Sequence, residues 1–213
     1  MRVLIAVPTF ENIMPDTFKA IWDMEKPCEC DFEFVRGYDV ATARNKIAQL
    51  ALDGPYTHVM MVDNDVTPPK DALANLMEHG EDVVMGYYAH RGADNVYEGR
   101  TCACRICQPD GMPYFNYPLE SEYTGAELRE YRDNGRHLLQ IHGGGMGCIL
   151  IRIEVFFRIA YPWFDWVNYA DEHRGMLSED LYFCEKLKAT VTPIYVDTRV
   201  ACGHMMRHIQ QPD

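Results

Sequence analysis

Two aspartates one residue apart, Asp63 and Asp65, stand in the run Met60-Met61-Val62-Asp63-Asn64-Asp65-Val66, directly after an apolar stretch. Carboxylates this close repel each other unless positive charge lies beside them. A hard divalent cation, Mg²⁺ or Mn²⁺, prefers carboxylate oxygens and would offset that repulsion. Such a cation can also neutralise charge that grows on a departing diphosphate. The plainer reading is an acidic turn ahead of the helix that follows Pro68-Pro69. A second acidic pair, Glu179-Asp180, follows Ser178 at the start of a helical pattern. A carboxylate there can take the proton of a hydroxyl nucleophile, which contributes about 10²–10⁴-fold. Its plainer role is to complement the helix dipole, worth roughly 0.3–1 kcal/mol. Gly143-Gly144-Gly145-Met146-Gly147 precedes an apolar strand pattern, where missing side chains let a sugar approach the backbone or simply make a flexible turn. Gly203-His204 adds an imidazole after the last apolar run. Trp163, Phe164 and Trp166 offer stacking faces for an acceptor, or ordinary packing.

These residues need elements to hold them. Residues 2–7 form an apolar run that stops at Pro8-Thr9 and reads as a buried first strand. The 3.6 period predicts helices over 15–25, over 40–52 with Asp39 as its cap, and over 70–79. Strand patterns lie at 31–36, 57–62 and 82–86. This alternation predicts an α/β fold with a mostly parallel central sheet and helices on both faces. Ligands of such sheets gather at the carboxyl ends of the strands, here Pro8-Thr9, Arg36-Gly37, Asp63-Asn64-Asp65 and Tyr87-Tyr88. Residues 90–136 lack clear period and read as an irregular excursion holding a short hairpin and a helix near 125–134. Strands at 138–141 and 148–152 follow, then a short helix at 154–159. A helix over 179–188 with Ser178 as cap and a strand at 192–197 complete the pattern.

The chain has 213 residues, with 20 basic against 32 acidic side chains and a net charge of −12. One domain spanning 1–213 is the favoured organisation. The acidic balance disfavours broad nucleic-acid or anionic-membrane binding but leaves room for a focused basic cleft. No run approaches the ~20 apolar residues of a membrane span, and residues 3–7 are too short for a signal-peptide core. A cytoplasmic setting follows, in which thiols stay reduced or bind metal. Cys28, Cys30, Cys102, Cys104 and Cys107 offer a minority reading as ligands of a structural zinc that would organise the excursion.

Taken together, Val7-Pro8-Thr9-Phe10-Glu11-Asn12, Ala43-Arg44-Asn45, Val62-Asp63-Asn64-Asp65-Val66, Gly143–Gly147 and Ser178-Glu179-Asp180 resemble the glycosyltransferases of the GT-A fold, particularly the family-two-like group. The resemblance implies a hexosyltransferase using Mn²⁺ or Mg²⁺ and a UDP- or GDP-sugar donor. Residues 1–90 would form the nucleotide-sugar half and 137–205 the acceptor and catalytic half. Pro8, Thr9 and Glu11 would line the base and ribose. Arg44 would lie near the nucleotide or its phosphates. Asp63, Asn64, Asp65, Gly144 and Gly145 would complete the donor site. Asp63, Asp65 and His204 would be the metal ligands. Asp180 would be the general base of an inverting reaction, with Glu179 assisting. Trp163 and Trp166 would face a glycan, lipid-linked or protein acceptor. The small size suits a stand-alone enzyme of viral or bacterial sort. Two other readings remain at this point. One is a haloacid-dehalogenase-like phosphatase with Asp63 as nucleophile and Asp65 as acid/base; the other is an inactive sugar-nucleotide-binding module.

Overall fold

The computed structural model describes residues 1–90, 99–105, 122–168 and 176–205. The first part alternates strand and helix: β1 (Arg2–Thr9), α1 (Pro15–Asp23), β2 (Glu29–Arg36), α2 (Val40–Asp53), β3 (His58–Val62), β4 (Val66–Thr67), α3 (Ala72–Glu78) and β5 (Val83–Tyr87). Next come β6 (Arg100–Cys104), β7 (Glu122–Thr124), α4 (Gly125–Asp133), β8 (Leu138–Ile141), β9 (Gly143–Gly144) and β10 (Cys148–Arg152). The chain continues through α5 (Val155–Arg158), β11 (Val167–Asn168), β12 (Met176–Leu177), α6 (Glu179–Ala189), β13 (Ile194–Ala201) and β14 (Gly203–His204).

Seven strands form the central sheet in the order β2-β1-β3-β10-β5-β13-β8. β2, β1 and β3 are mutually parallel, and so are β5 and β13. β10 inserts antiparallel between β3 and β5, and β8 runs antiparallel along β13. The mostly parallel sheet read from the sequence is therefore present, with two reversed strands. The reversal of β10 matters for the site, because Cys148 at its start pairs with Val62 at the end of β3. The glycine-rich segment thus enters at the rim where β3 delivers its aspartates.

Helices cover both faces, so the inner strands are apolar on both sides. On one face Leu4, Ala6, Val59 and Met61 pack with α2 and α6 through Ala43, Ile47, Phe183 and Leu187. On the other, Val3, Ile5, Val7 and Met60 meet Ile21 of α1 and Leu73 and Leu76 of α3. Alternate residues of a strand point to opposite faces, which is why neighbours in β1 join different cores. The alanines of α2 keep that helix thin against the sheet. Asp39 caps it by accepting a hydrogen bond from the Thr42 N–H at 3.1 Å, as the sequence predicts. In α1 the apolar face is narrower than expected, with Ile21 buried and Phe18 and Trp22 exposed and stacked on each other.

Within 90–136, β6 pairs antiparallel with both β7 and β9, and α4 opens on a closed capping box between Thr124 and Glu127. The expected helix is there; the connection between the paired β6 and β7 lies outside the described residues, and with it the expected short hairpin. Among the described residues the cysteines do not assemble as a zinc site. Cys28 and Cys30 pack with the α1/α3 core, whereas Cys102 belongs to the core on the opposite face of the sheet. Burial pushes the Cys102 thiol up to about 12. Cys107 lies outside the described residues. Among those described, no helix is long and apolar enough to cross a membrane.

Candidate functional site

The carboxyl ends of β1, β3 and β5, the start of β10, the first turn of α6 and the end of the chain past β13 meet at one rim of the sheet. Arg44 is the centre of that meeting. It sits on the buried face of α2 and is only 1% exposed. Its Nη2 donates to Asp63 Oδ1 at 2.7 Å, its Nε reaches Glu179 Oε1 at 3.4 Å, and its Nη1 donates to the Met146 carbonyl at 3.3 Å. One guanidinium thus ties the end of β3, the glycine-rich segment and the start of α6. Burial works against its charge, but Asp63, Glu179 and Asp180 outweigh that and hold its pKa above the ordinary arginine value.

The acids respond in the opposite sense. Burial raises the Glu179 carboxyl above its usual range, Arg44 opposes the rise, and the neighbouring Asp180 charge adds to it. Burial likewise raises Asp180, against the stabilising hydroxyl of Ser178 and the Arg44 charge. One cation facing three carboxylates leaves excess negative charge at the rim. Among the described residues, Asp180's hydrogen bonds fall on Oδ1, from the Ser178 hydroxyl and from the Leu181 N–H at 2.8 Å. Ser178 does precede the helix as expected, but its hydroxyl serves this carboxylate and makes no side-chain cap to the backbone.

Asp65 is placed separately. β4 and β14 form a small antiparallel pair in which His204 is opposite Val66, and the Met205 N–H donates to the Asp65 carbonyl at 2.8 Å. This brings His204 Nε2 to 3.9 Å from Asp65 Oδ1. The other ring nitrogen, Nδ1, lies 2.8 Å from the Ala89 carbonyl. A carbonyl only accepts, so Nδ1 carries a proton, and Nε2 is the ring nitrogen on the Asp65 side. A backbone carbonyl orienting the second nitrogen is the usual arrangement behind a metal-ligating histidine. A carboxylate and an imidazole 3.9 Å apart suit a cation held about 2.1 Å from each donor. Among the described residues no group of three or more His, Cys, Asp and Glu side chains is close enough to hold a metal alone. Asp65 and His204 are therefore two candidate donors, the number the described residues bring together here. Asp63, expected beside the metal, turns one oxygen onto Arg44 instead. That pairing engages Oδ1 of the residue that the phosphatase reading makes its nucleophile.

The remaining predicted residues fall as follows. Thr9 is buried at the end of β1, and its hydroxyl donates to the Asn12 carbonyl at 2.6 Å. Asn64 donates to the same carbonyl at 2.8 Å and to Thr9 Oγ1 at 3.2 Å, so it shapes the loop holding Glu11, which is exposed. Pro8 is buried within β1. A Cβ on Gly144 would lie 2.6 Å from the Cys102 carbonyl oxygen, and one on Gly145 would lie 2.3 Å from Tyr88 Oη. The glycines thus admit the protein's own β6 and Tyr88. Trp163 is 6% exposed and donates its Nε1–H to the Phe156 carbonyl at 3.0 Å, which makes it a core residue rather than an acceptor platform. Trp166 remains 43% exposed.

Two contributors escape the sequence reading. Asn45, next to Arg44, donates to the Ala41 and Phe164 carbonyls and accepts from the Trp163 and Phe164 N–H groups, fixing the aromatic segment on α2. Tyr88 accepts from the Gly147 N–H at 3.2 Å and packs edge-on against the His204 ring at 4.9 Å. Ala43-Arg44-Asn45 and Tyr87-Tyr88 were visible as motif and strand end, but neither pattern says which side chain faces inward.

No protein-family model matches the chain, and no curated protein matches it. Solved structures do. The viral protein A197 from STIV aligns with a TM-score of 0.62 at 19% identity, over 97% of this chain and 87% of that one. GalNAc-T7, solved with UDP, GalNAc and Mn²⁺, aligns with a TM-score of 0.59 at 11% identity, over 96% of this chain. The aligned region spans 44% of that transferase. At such identities the likeness speaks for the fold, and the fold is GT-A-like: a Rossmann-like α/β sheet of the kind on which glycosyltransferases are built.

Proposed function

We propose that the chain is a metal-dependent glycosyltransferase that moves a hexose from a UDP- or GDP-sugar to a hydroxyl of a glycan, lipid-linked or protein acceptor, with inversion. The observation that carries this reading is the meeting, at one rim of a GT-A-like sheet, of the Asp65–His204 pair with the Glu179-Asp180 pair. Residues 1–90 then act as the donor half and 137–205 as the acceptor half. A cytoplasmic setting and a viral or bacterial origin belong to the same proposal.

Asp65 and His204 Nε2 would hold Mn²⁺ or Mg²⁺, which supplies charge neutralisation for the departing diphosphate. Pro8, Thr9 and Glu11, at and beyond the end of β1, line the nucleoside. Asp180 accepts the proton of the attacking hydroxyl. A carboxyl with a raised pKa holds a proton better, which improves it as a base so long as it starts ionised. Glu179, tethered to Arg44, orients rather than reacts. Trp166 is the exposed aromatic placed to meet the acceptor.

The test is binding and turnover on the same variants. Wild type melts higher with Mn²⁺ plus the correct nucleotide sugar and releases nucleoside diphosphate when an acceptor is present. Asp65→Asn loses the metal-dependent shift. Asp180→Asn keeps it and slows transfer by about 10²–10⁴-fold. Transfer at the normal rate in Asp180→Asn removes the base assignment, and a wild type indifferent to every nucleotide sugar removes the reading.

A further inference from the structure

We propose that Arg44 is a positioning residue that clamps Asp63 and Glu179 of the site to one buried cation. The sequence resemblance places it at the nucleotide or its phosphates; the geometry points elsewhere. A side chain 1% exposed is enclosed by protein. Its donors are directed at Asp63 Oδ1, Glu179 Oε1 and the Met146 carbonyl, which belong to three separate segments of the rim. Its charge also stands beside Asp180 without a hydrogen bond to it. Arginine suits this work because its planar fork donates in several fixed directions at once and never loses its proton.

The consequence is a division of labour among four acids. Asp63 and Glu179 are held by the buried cation. Asp65 faces His204, and among the described residues Asp180 accepts hydrogen bonds from Ser178 and from the N–H of its own helix turn. Without Arg44 the Asp63 and Glu179 carboxylates would lose their partner next to Asp65 and Asp180. They would either repel one another or recruit another cation. This inference rests on the proposed function for the roles of Asp65 and Asp180, but the clamp itself does not.

A double-mutant cycle on the full chain separates the two. Arg44→Met is expected to lower the metal-free melting temperature by about 10 °C, the size of an orphaned buried pair in a chain of this length. Glu179→Gln in that background is expected to recover part of the loss, because it removes one of the stranded charges. Additive losses, with no coupling, overturn the clamp. Mn²⁺ alone, titrated by loss of the free-ion magnetic resonance signal, is expected to bind Arg44→Met about tenfold more tightly, as released carboxylate replaces the lost guanidinium. Weaker Mn²⁺ binding overturns the proposal. So does an Arg44→Met protein that melts normally but no longer binds UDP with Mn²⁺, since that is the signature of a phosphate ligand. If Arg44→Met does not fold, the cycle is run with Arg44→Lys, which keeps the charge but cannot reach all three acceptors; coupling to Glu179→Gln is again expected, and additivity again overturns it. A wild type that binds neither Mn²⁺ nor UDP defeats the proposed function, while the metal-free cycle still decides the clamp.

Discussion

Among the described residues two ion networks stand on the same sheet, and they differ in charge balance. Around β13 and α3, Asp197 is fully buried and accepts from His79 Nε2 at 2.7 Å and from Arg199 Nη2 at 2.8 Å, while Arg199 also reaches Glu78 at 2.7 Å. Arg199 and, when it is protonated, His79 balance two acids. Burial pushes the Asp197 carboxyl up, but the hydrogen bonds from Arg199 and His79 prevail and hold it below the usual carboxylate range. Around Arg44 one basic group meets three acids, and Glu179 and Asp180 are pushed the other way. A balanced network holds a fold together. An unbalanced one stores a demand for positive charge, and that demand can be met by a ligand.

The sharpest way to break this contrast is Asp197→Asn. It leaves Arg199 and His79 around a neutral amide, and unfolding in denaturant should show a loss of about 3 kcal/mol, the low end for breaking a buried pair because Arg199 is partly exposed. A loss below 1 kcal/mol would mean that the β13 network is not structural in this sense.

Next in size is the response to a cation. Mn²⁺ at 100 times its dissociation constant should add about 2.7 kcal/mol to stability. The gain should vanish in Asp65→Asn and survive in Asp197→Asn. A gain abolished by both substitutions would erase the distinction between the networks.

Acid titration separates them by sign. Asp197 has a folded pKa below its unfolded one, so the stability it contributes is present above the unfolded value near 3.8 and is lost as pH falls through the folded value. Asp180 and Glu179 have folded pKa values above the unfolded 3.8 and 4.5, so they contribute stability that is full below those values and lost as pH rises through the folded ones. The melting temperature of Asp197→Asn should therefore fall less steeply in acid than that of wild type. Asp180→Asn should gain most at neutral pH. Parallel curves for the three proteins would contradict this. The smallest effect belongs to Glu179→Gln alone, within about 1 kcal/mol of wild type, since a hydrogen bond to Arg44 weakens while repulsion from Asp180 is relieved.

Legibility in the sequence followed the range of the forces involved. Strands buried on both faces announce themselves as apolar runs, so β1, β3, β5 and β10 were visible, as was the Asp39 cap, whose partner is three residues away. The place of β10 between β3 and β5 was not, because strand neighbours are chosen by tertiary packing. Arg44 read as a solvated or ligand-facing residue because helical period alone cannot show that its inward neighbours include Asp63 and Glu179, the latter 135 positions away. Trp163 read as a platform because no pattern shows that a carbonyl of α5 waits for its indole nitrogen. The cysteines read as a cluster because spacing along the chain carries no information about which face of a sheet each one reaches. Asp65 and His204 were both visible as residues; what brings them together is the two-strand pairing of β4 with β14.

Gly144 sets a limit on how this protein can diversify. The Cys102 carbonyl oxygen stands 2.6 Å from where a methyl group at position 144 would begin, and it is main chain, which cannot swing aside as a flexible side chain would. The same carbonyl receives the Gly145 N–H. β6 is therefore welded to the rim, although it lies in a stretch of sequence with no regular period. Lineages descending from this chain would be free to rewrite its outlying loops, but not the glycine at position 144, whose single hydrogen atom in place of a side chain lets the main chain of β6 close on the rim.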